Sequence, residues 1–550
     1  MIGTHSQLRH ELLAERKLSI DDYWAVAEKR LDWPLSDGLN LAHECCDRWA
    51  TDRSRIALSV HEPDGSVTRW TYFELMEASR ALANAFISAG FRRGDRVAAV
   101  LDQQVEAYIC ALAAWRAGLV YVPLFVGFGV DALAQRIDGA EATAVVVDHR
   151  YRAPYAKVHA GLTAGPSVWT VAGNRGLGIM VGDRSFWQEI DTHTAAFETV
   201  RTEPTDCATL IYTSGTTGNP KGCLHPHSLI LPLQSFLRHV MAPGQDDFVF
   251  AGANPGWSFG LYAAGLGVQS LGIGRVIYTG AFDPVAWLKV MNKERVTYIA
   301  SAPSAYRSLL AAARTSLPET VRGGLSAGEP LTASLVKAWG DLGGGPLQDG
   351  YGSSEMGMVL ANLADDVCPA PAGALTSAVP GFDVVLVDEH GQQQETEGII
   401  GVRNARWPIL GYQGLDELWR SRTVNDVFLS GDMARRDEDG YYWFAGRHDD
   451  VIVTAGYNVG PAEVENVIAA VPGVCEVAVV AAPDEARGSV VRAVVVDDGS
   501  VPRTVLTGAI QDAAKERLGR HAYPKIIDFV DVLPRTEVGK VRRNILRENA

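Results

Sequence analysis

The sequence predicts an α/β protein: a large N-terminal domain of parallel α/β sheets with a small barrel-like subdomain, followed by a small α+β C-terminal domain. Three observations predict it. Apolar, strand-like runs alternate with helical stretches as far as residue 300, the pattern of βαβ units. Near Phe382 the text turns to strict alternation, the pattern of antiparallel strands. After Gly446 a separate strand-and-helix set closes the chain.

The elements follow in order. Polar-apolar helical text fills the start, and the run from Arg55 to Val60 reads as a strand. Thr71 opens a helix from Tyr72 to Gly90. A buried strand from Arg96 to Leu101 follows, then an apolar helix from Val105 to Ala117. Further strands run from Tyr121 to Leu124, Ala142 to Val147 and Ala208 to Tyr212. The alternation resumes with strands from Phe248 to Ala251, Gly274 to Tyr278 and Val296 to Ala300, and with a helix from Pro284 to Lys293. The alternating segments from Phe382 to Val387 and Glu397 to Arg403 form the barrel-like part. The last unit holds helices from Pro461 to Ala470 and Val505 to Leu518. Its strands run from Val474 to Ala481, Val490 to Val496 and Lys525 to Val530. The predicted boundary gives domains 1–447 and 448–550.

Composition narrows the function classes. The chain has 550 residues, enough for two to four units at ~150 residues each. Its net charge of −15 disfavours a nucleic-acid role. The seven cysteines are odd in number and lack CxxC spacing, which suits free thiols and a cytoplasmic location. The N-terminus lacks a signal-peptide core. No apolar run reaches the ~18 residues of a membrane span; the softest candidate, Leu261 to Ile273, is short and broken by glycines.

The strongest chemical signal is Tyr212-Thr213-Ser214-Gly215-Thr216-Thr217-Gly218-Asn219-Pro220-Lys221-Gly222, directly after a strand-like run. Glycines let backbone N–H groups approach phosphate oxygens, hydroxyls donate further bonds, and Lys221 adds a point charge. The spacing is not that of a Walker A loop. Later segments carry groups with matching chemistry. Tyr351 offers a flat face for stacking, and Asp349 an acceptor. Glu355 is a hard oxygen donor of the kind that suits Mg²⁺. Asp432 can accept two hydrogen bonds at once, and Arg447 can donate.

The loop from Thr213 to Gly222 resembles the signature of the adenylate-forming superfamily: acyl- and aryl-CoA synthetases, peptide-synthetase adenylation domains and firefly luciferase. Four more segments resemble it in the same order, so the likeness spans nearly the whole chain. They are Ser326-Ala327-Gly328-Glu329-Pro330-Leu331, Asp349-Gly350-Tyr351-Gly352-Ser353-Ser354-Glu355, Ser430-Gly431-Asp432 with Gly446-Arg447-His448-Asp449-Asp450, and Pro534-Arg535-Thr536-Glu537-Val538-Gly539-Lys540.

The resemblance implies an ATP-dependent acyl-CoA synthetase that forms an acyl-adenylate and passes the acyl group to coenzyme A. Lys540 is then the catalytic cation of the first step, with Ser354 bonding the α-phosphate and Glu355 and Thr217 at Mg²⁺. Thr213, Ser214, Gly215, Thr216, Thr217, Gly218 and Lys221 hold phosphates. Gly328, Glu329 and Pro330 lie against adenine, with Asp349, Gly350, Tyr351, Gly352 and Ser353 beside them. Asp432 and Arg447 clamp the ribose, Asp449 is the hinge, and Gly456 and Tyr457 line the CoA tunnel.

The segment Asn254-Pro255-Gly256-Trp257-Ser258-Phe259-Gly260 resembles the acyl pocket of acetyl- and medium-chain synthetases. Gly352 stands where acetate-specific relatives have tryptophan. Ala455-Gly456-Tyr457, followed by Gly460-Pro461-Ala462-Glu463-Val464-Glu465, resembles the medium-chain and benzoate branch. With Gly352 in place of an indole, the resemblance implies an acid larger than acetate, with an apolar or aromatic tail, walled by Trp257, Ser258 and Phe259. Two positions depart from the family: Val453, where many relatives have lysine, and Asn458, where several have arginine. Cys223, His225 and His227 imitate a metal cluster without a fourth ligand. Expected partners are a carboxylic acid, ATP and CoA, with no nucleic acid and no membrane span. A synthetase loading a separate carrier protein and a non-enzymatic binding relative are the competing readings.

Overall fold

The computed structural model describes residues 5–172, 176–213, 220–313, 316–329, 331–364, 370–371, 373–403, 405–407, 409–450, 452–454, 457–484, 488–518, 522–535 and 541–548. For residues 5–7, 449, 453, 454, 457, 458, 463 and 488 the backbone alone is described.

Two sheets with parallel interiors make the body of the N-terminal part. In the eight-stranded sheet the order is Gly411–Tyr412, Lys221–Pro226, Cys207–Thr213, Val120–Leu124, Arg96–Val100, Ala144–Asp148, Ser167–Val171 and Arg184–Ser185. Pairing is parallel from Cys207–Thr213 onward and antiparallel at the Lys221–Pro226 and Gly411–Tyr412 edge. The nine-stranded sheet runs Ser377–Ala378, Gly357–Ala361, Leu347–Ser353, Gly323–Ala327, Tyr298–Ser301, Phe248–Ala251, Gly274–Tyr278, Ile56–His61 and Val67–Thr71. Its six central strands are parallel and its margins antiparallel.

Side-chain alternation along these strands sorts residues onto two faces. From the eight-stranded sheet Val97, Ala99, Ala144 and Val146 face the largest core, while Ala98, Val100, Val145 and Val147 face a second one with Leu133, Ile137 and Tyr155. From the other sheet Val249, Ile277 and Leu325 join the largest core, while Phe250, Val276 and Ile299 pack on Trp287, Leu335 and Trp339. Helices lie between the sheets and outside both. The helix Val105–Arg116 lies in the middle layer and is buried nearly all round, which explains its apolar text. Its Arg116 is neutralised by Asp47, at 2.9 and 3.0 Å.

The stretch that read as the softest membrane candidate is a π-helix, Phe259–Leu266, continuing into the helix Gly267–Ser270. It is buried between the sheets. Among the described residues no helix is long and apolar enough to cross a membrane.

The third sheet is antiparallel, as the change of pattern predicts: Ala374–Leu375, Tyr442–Arg447, Val427–Arg436, Glu397–Arg403, Asp383–Val387 and Gln393–Gln394, with Thr423–Val424 beside Val427–Arg436. Its hydrogen-bonded order among the described residues is an open path, not a closed barrel. The C-terminal unit has a hairpin, Ile452–Thr454 with Tyr457–Val459, and a sheet of Val474–Asp484, Gly488–Asp497 and Ile526–Phe529. Val479, Val491 and Val495 meet helices Pro461–Ala469 and Arg503–Arg517 through Val464, Ile468, Leu506 and Ile510.

Candidate active site

The motif residues gather at the C-terminal ends of the parallel strands, where open α/β sheets place their ligands. Strand Cys207–Thr213 ends at the glycine-rich loop and returns antiparallel as Lys221–Pro226, with Thr213 paired to Lys221. The segment that the strand leads into is thus followed by an antiparallel strand and not by a helix, unlike the strand–loop–helix order of a Walker A motif. Ser214, Gly215, Thr216, Thr217 and Gly218 lie outside the described residues, as do Pro330, Gly456 and Lys540. At the hairpin base the Thr213 hydroxyl donates to the Lys221 carbonyl at 3.4 Å.

Strand Leu347–Ser353 supplies the next group. Asp349 accepts the Gly350 N–H on Oδ1 at 3.1 Å, and burial raises its carboxyl to about 8. The Tyr351 hydroxyl donates to Asp432 Oδ2 at 2.7 Å. Arg447 Nε stands 3.6 Å from Asp432 Oδ1, and the two residues are cross-strand partners. The base-stacking and sugar-clamping candidates thus form one connected group. Each carboxylate oxygen has two acceptor directions, so Asp432 can take sugar hydroxyls while Tyr351 remains bonded. Glu329 takes a separate path, with its carboxylate 3.3 Å from Ser304 Oγ and 3.5 Å from Arg307.

Past the strand, the Ser354 carbonyl accepts from His225 Nε2 at 2.9 Å and Glu355 Oε1 accepts the Tyr412 hydroxyl at 2.9 Å. The Glu355 N–H donates to Ser353 Oγ at 3.2 Å. Lys221 Nζ lies 5.7 Å from the centre of the Tyr412 ring, within cation–π range. Burial lowers His225 to about 4, so it is neutral at pH 7. Tyr412 and His225 are functional candidates that the motif reading did not assign.

The three residues that imitate a metal cluster go separate ways. Cys223 is buried with its thiol pushed up by burial, His225 serves Ser354, and His227 Nδ1 accepts the Leu41 N–H at 3.0 Å. Among the described residues no group of three or more His, Cys, Asp or Glu is placed to hold a metal ion.

The acyl segment is anchored by Asn254. Its amide donates to Asp102 at 2.7 Å and its Oδ1 accepts the Gly256 N–H at 2.8 Å. Ser258 Oγ stands 3.3 Å from Ser354 Oγ, which joins this segment to the phosphate side. Trp257 and Phe259 are half-buried, and Phe259 packs on the main core. The Trp257 indole N–H is buried with no acceptor among the described residues.

One expectation needs correction. Gly352 does not leave room for an indole: a Cβ there would stand 2.1 Å from the Gly357 carbonyl oxygen and 2.7 Å from Met358 Cα. The ladder shifts register between Tyr351 and Gly352, so the missing side chain serves the bulge. The size argument built on Gly352 has no support in this backbone. Asp449 lies in the turn His448–Asp450, and Tyr457 begins the strand Tyr457–Val459.

A cavity of about 660 Å³ opens at the opposite, N-terminal end of the nine-stranded sheet, beside Arg55, Asp247, Phe248, Gly274 and Arg322. It holds none of the motif residues. Arg322 pairs with Asp247 and Arg55 donates to the Gly272 carbonyl, so these two arginines already have protein partners.

A hairpin that flanks a glycine-rich loop, a tyrosine–aspartate–arginine group and a carboxylate, drawn from neighbouring sheets, are the features of a nucleotide-using α/β enzyme. The AMP-binding enzyme family model matches residues 45–412, and the AMP-binding enzyme C-terminal domain model matches residues 463–540. The uncharacterized acyl-CoA ligase YtcI of Bacillus subtilis is 31% identical over 94% of this chain and 98% of its own. The crystal structure of Brucella canis acyl-CoA synthetase is 32% identical, with a TM-score of 0.76 over 98% of both chains. An anthranilate CoA ligase, AuaEII, in complex with anthranoyl-AMP is 26% identical, with a TM-score of 0.86 over 94% of this chain and 98% of its own. The chain belongs to the AMP-binding enzyme family, among the AMP-forming acyl-CoA synthetases. Enzymes of that class act on a carboxylic acid, ATP and CoA.

Proposed function

We propose that this enzyme converts a carboxylic acid and ATP to acyl-AMP and pyrophosphate, then acyl-AMP and CoA to acyl-CoA and AMP. The observation that carries the reading is the linkage across three sheets of His225 and Tyr412, from the strands beside Thr213 and Lys221, to Ser354 and Glu355, and of Tyr351 to Asp432 and Arg447. The acid is larger than acetate: medium-chain, branched or aromatic. The relation to an anthranilate ligase and the half-buried aromatics Trp257 and Phe259 support that class.

In this reading Tyr351 and Asp349 receive adenine and Asp432 with Arg447 the ribose. The loop from Ser214 to Gly218 receives the phosphates, and Ser354 donates to the α-phosphate. The acid's carboxylate then attacks the α-phosphorus and pyrophosphate leaves. Lys540 neutralises the charge that builds between two anions, an effect usually worth a few kcal/mol. The hard carboxylate of Glu355 beside the phosphate hairpin fits Mg²⁺, with Thr217 as a further oxygen donor; the ion would supply charge neutralisation to the leaving pyrophosphate. The C-terminal unit, 448–550, turns about Asp449 for the second step, in which the CoA thiolate enters past Gly456 and Tyr457 and expels AMP. A cytoplasmic site of action fits the free thiols.

Carboxylate-dependent exchange of pyrophosphate into ATP, run over acids from acetate to octanoate and benzoate, tests the reaction and the acid together. Lys540→Ala is expected to abolish exchange while sparing thioester formation from supplied acyl-adenylate. Equal loss of both steps removes Lys540 from the role given.

A further inference from the structure

We propose that His225 and Tyr412 are positioning residues that lock the Ser354–Glu355 dipeptide so that the Glu355 carboxylate meets a phosphate-bound divalent cation. The proposal rests on the reading of Glu355 as the metal carboxylate. Its basis is that two neighbouring residues of the motif are gripped from one ladder. Strands Lys221–Pro226 and Gly411–Tyr412 pair through Leu224 with Gly411 and Cys223 with Tyr412. Further backbone bonds extend the contact, from the Leu410 N–H to the Leu224 carbonyl at 3.0 Å and from the Gln413 N–H to the Gly222 carbonyl at 2.8 Å. His225 reaches from the first strand to the Ser354 carbonyl, and Tyr412 from the second to the Glu355 side chain, both at 2.9 Å.

Each gripping side chain is itself held. Tyr412 is 2% exposed and its ring meets Trp419 edge-on at 5.2 Å. His225 is 2% exposed, and its ring stacks on Tyr262 at 5.7 Å and 23°. A glutamate with no such partners samples many rotamers, and ordering it on metal binding costs free energy. Here the Tyr412 hydroxyl commits one carboxylate oxygen and fixes the plane of the group. The strand that carries His225 begins at Lys221, so both gripping residues stand on the edge of the sheet that carries Thr213 and Lys221. This is the outer-partner arrangement by which proteins orient a metal-binding carboxylate.

The test measures ATP binding without any acid, with and without Mg²⁺, alongside the thermal midpoint. Tyr412→Phe removes one hydroxyl and is expected to melt with the wild type. It should raise the Mg²⁺ concentration for half-maximal enhancement of ATP binding roughly tenfold and leave affinity in EDTA unchanged. Glu355→Gln should abolish the enhancement, and adding Tyr412→Phe to it should cause no further loss. His225→Gln, which keeps a donor for the Ser354 carbonyl, should retain the metal response, and His225→Leu should lose it. An unchanged Mg²⁺ response in Tyr412→Phe, an equal loss in EDTA, or additivity with Glu355→Gln each overturns the proposal. If His225→Leu fails to fold, the Tyr412 and Glu355 cycle decides. A protein that keeps this metal coupling but never releases pyrophosphate with any acid defeats the synthetase reading alone.

Discussion

Asp349 sits near the end of a parallel strand, and burial raises its carboxyl from the usual carboxylate range to about 8. Between those values the folded chain holds a proton that the unfolded chain has released. Stability therefore falls as pH rises from about 4 to about 8. The buried histidines have the opposite sign: burial lowers His225 to about 4 and His227 to about 3. Both lose stability as pH falls from the ordinary histidine value through those pKa values. Asp349→Asn removes the first dependence only. Urea midpoints at pH 5.5 and 8.5 should fall less in the variant than in the wild type, a difference on the order of 1 kcal/mol after discounting the residue's partial solvent contact. Parallel lines for the two proteins would contradict the raised carboxyl. A sequence singles out such residues where the chemistry is local. Tyr351, Glu355 and Asp432 carry their groups in short motifs. Tyr412 and His225 escaped because their meaning lies in partners 57 and 129 residues away, and a lone tyrosine or histidine says nothing about where a distant carbonyl will come to rest.

At the scale of elements, the alternating strands and helices were legible because burial on two faces writes apolar text directly into the chain. What stayed hidden were irregularities made by backbone meeting backbone. The π-helix Phe259–Leu266 is one: a Cβ at Gly260 would lie 1.9 Å from the Asn254 carbonyl oxygen, and one at Gly265 would lie 2.4 Å from the Gly260 carbonyl oxygen. Wide turns of this type cluster at functional sites, and here the turn follows directly on Trp257 and Ser258. The bulge at Gly352 is another, and it changes a forecast. The Gly357 carbonyl oxygen lies only 2.1 Å from where a methyl group on residue 352 would stand. Gly352→Ala is therefore expected to lose about 1–3 kcal/mol by forcing the two strands apart. The loss should also reach ATP affinity, because the same strands carry Tyr351. A Gly352→Ala protein with wild-type urea stability and a narrower range of acids would restore the pocket reading and sink this one.

For the whole molecule the proposed reaction raises the question of how a C-terminal unit would present Lys540 to a nucleotide held elsewhere. The described residues on either side of that lysine give part of the answer. An isolated bridge joins Arg535 to Val541, and the Arg542 N–H donates to the Pro534 carbonyl at 2.8 Å, which ties together the described residues on the two sides of 536–540. The chain then enters the helix Arg543–Glu548. Arg543 grips both oxygens of Glu465 at 2.6 and 2.8 Å, Arg492 donates to the Leu546 carbonyl at 2.8 Å, and Arg547 reaches Asp450 in the turn His448–Asp450 at 2.8 Å. The described residues that follow Lys540 and the expected hinge are thus fastened to one short helix. Glu465 is 13% exposed, and removing it leaves Arg543 without its charge partner, which costs about 3 kcal/mol at a largely buried pair. Both residues of the pair lie on helices of the C-terminal unit. Glu465→Ala should therefore lower a C-terminal transition in calorimetry and slow pyrophosphate exchange severalfold, while ATP affinity at the Asp432 and Tyr351 group stays within twofold of wild type, about 0.4 kcal/mol or less. Losing nucleotide affinity in step with exchange would mean that the two units do not divide the work between gripping the nucleotide and supplying the charge.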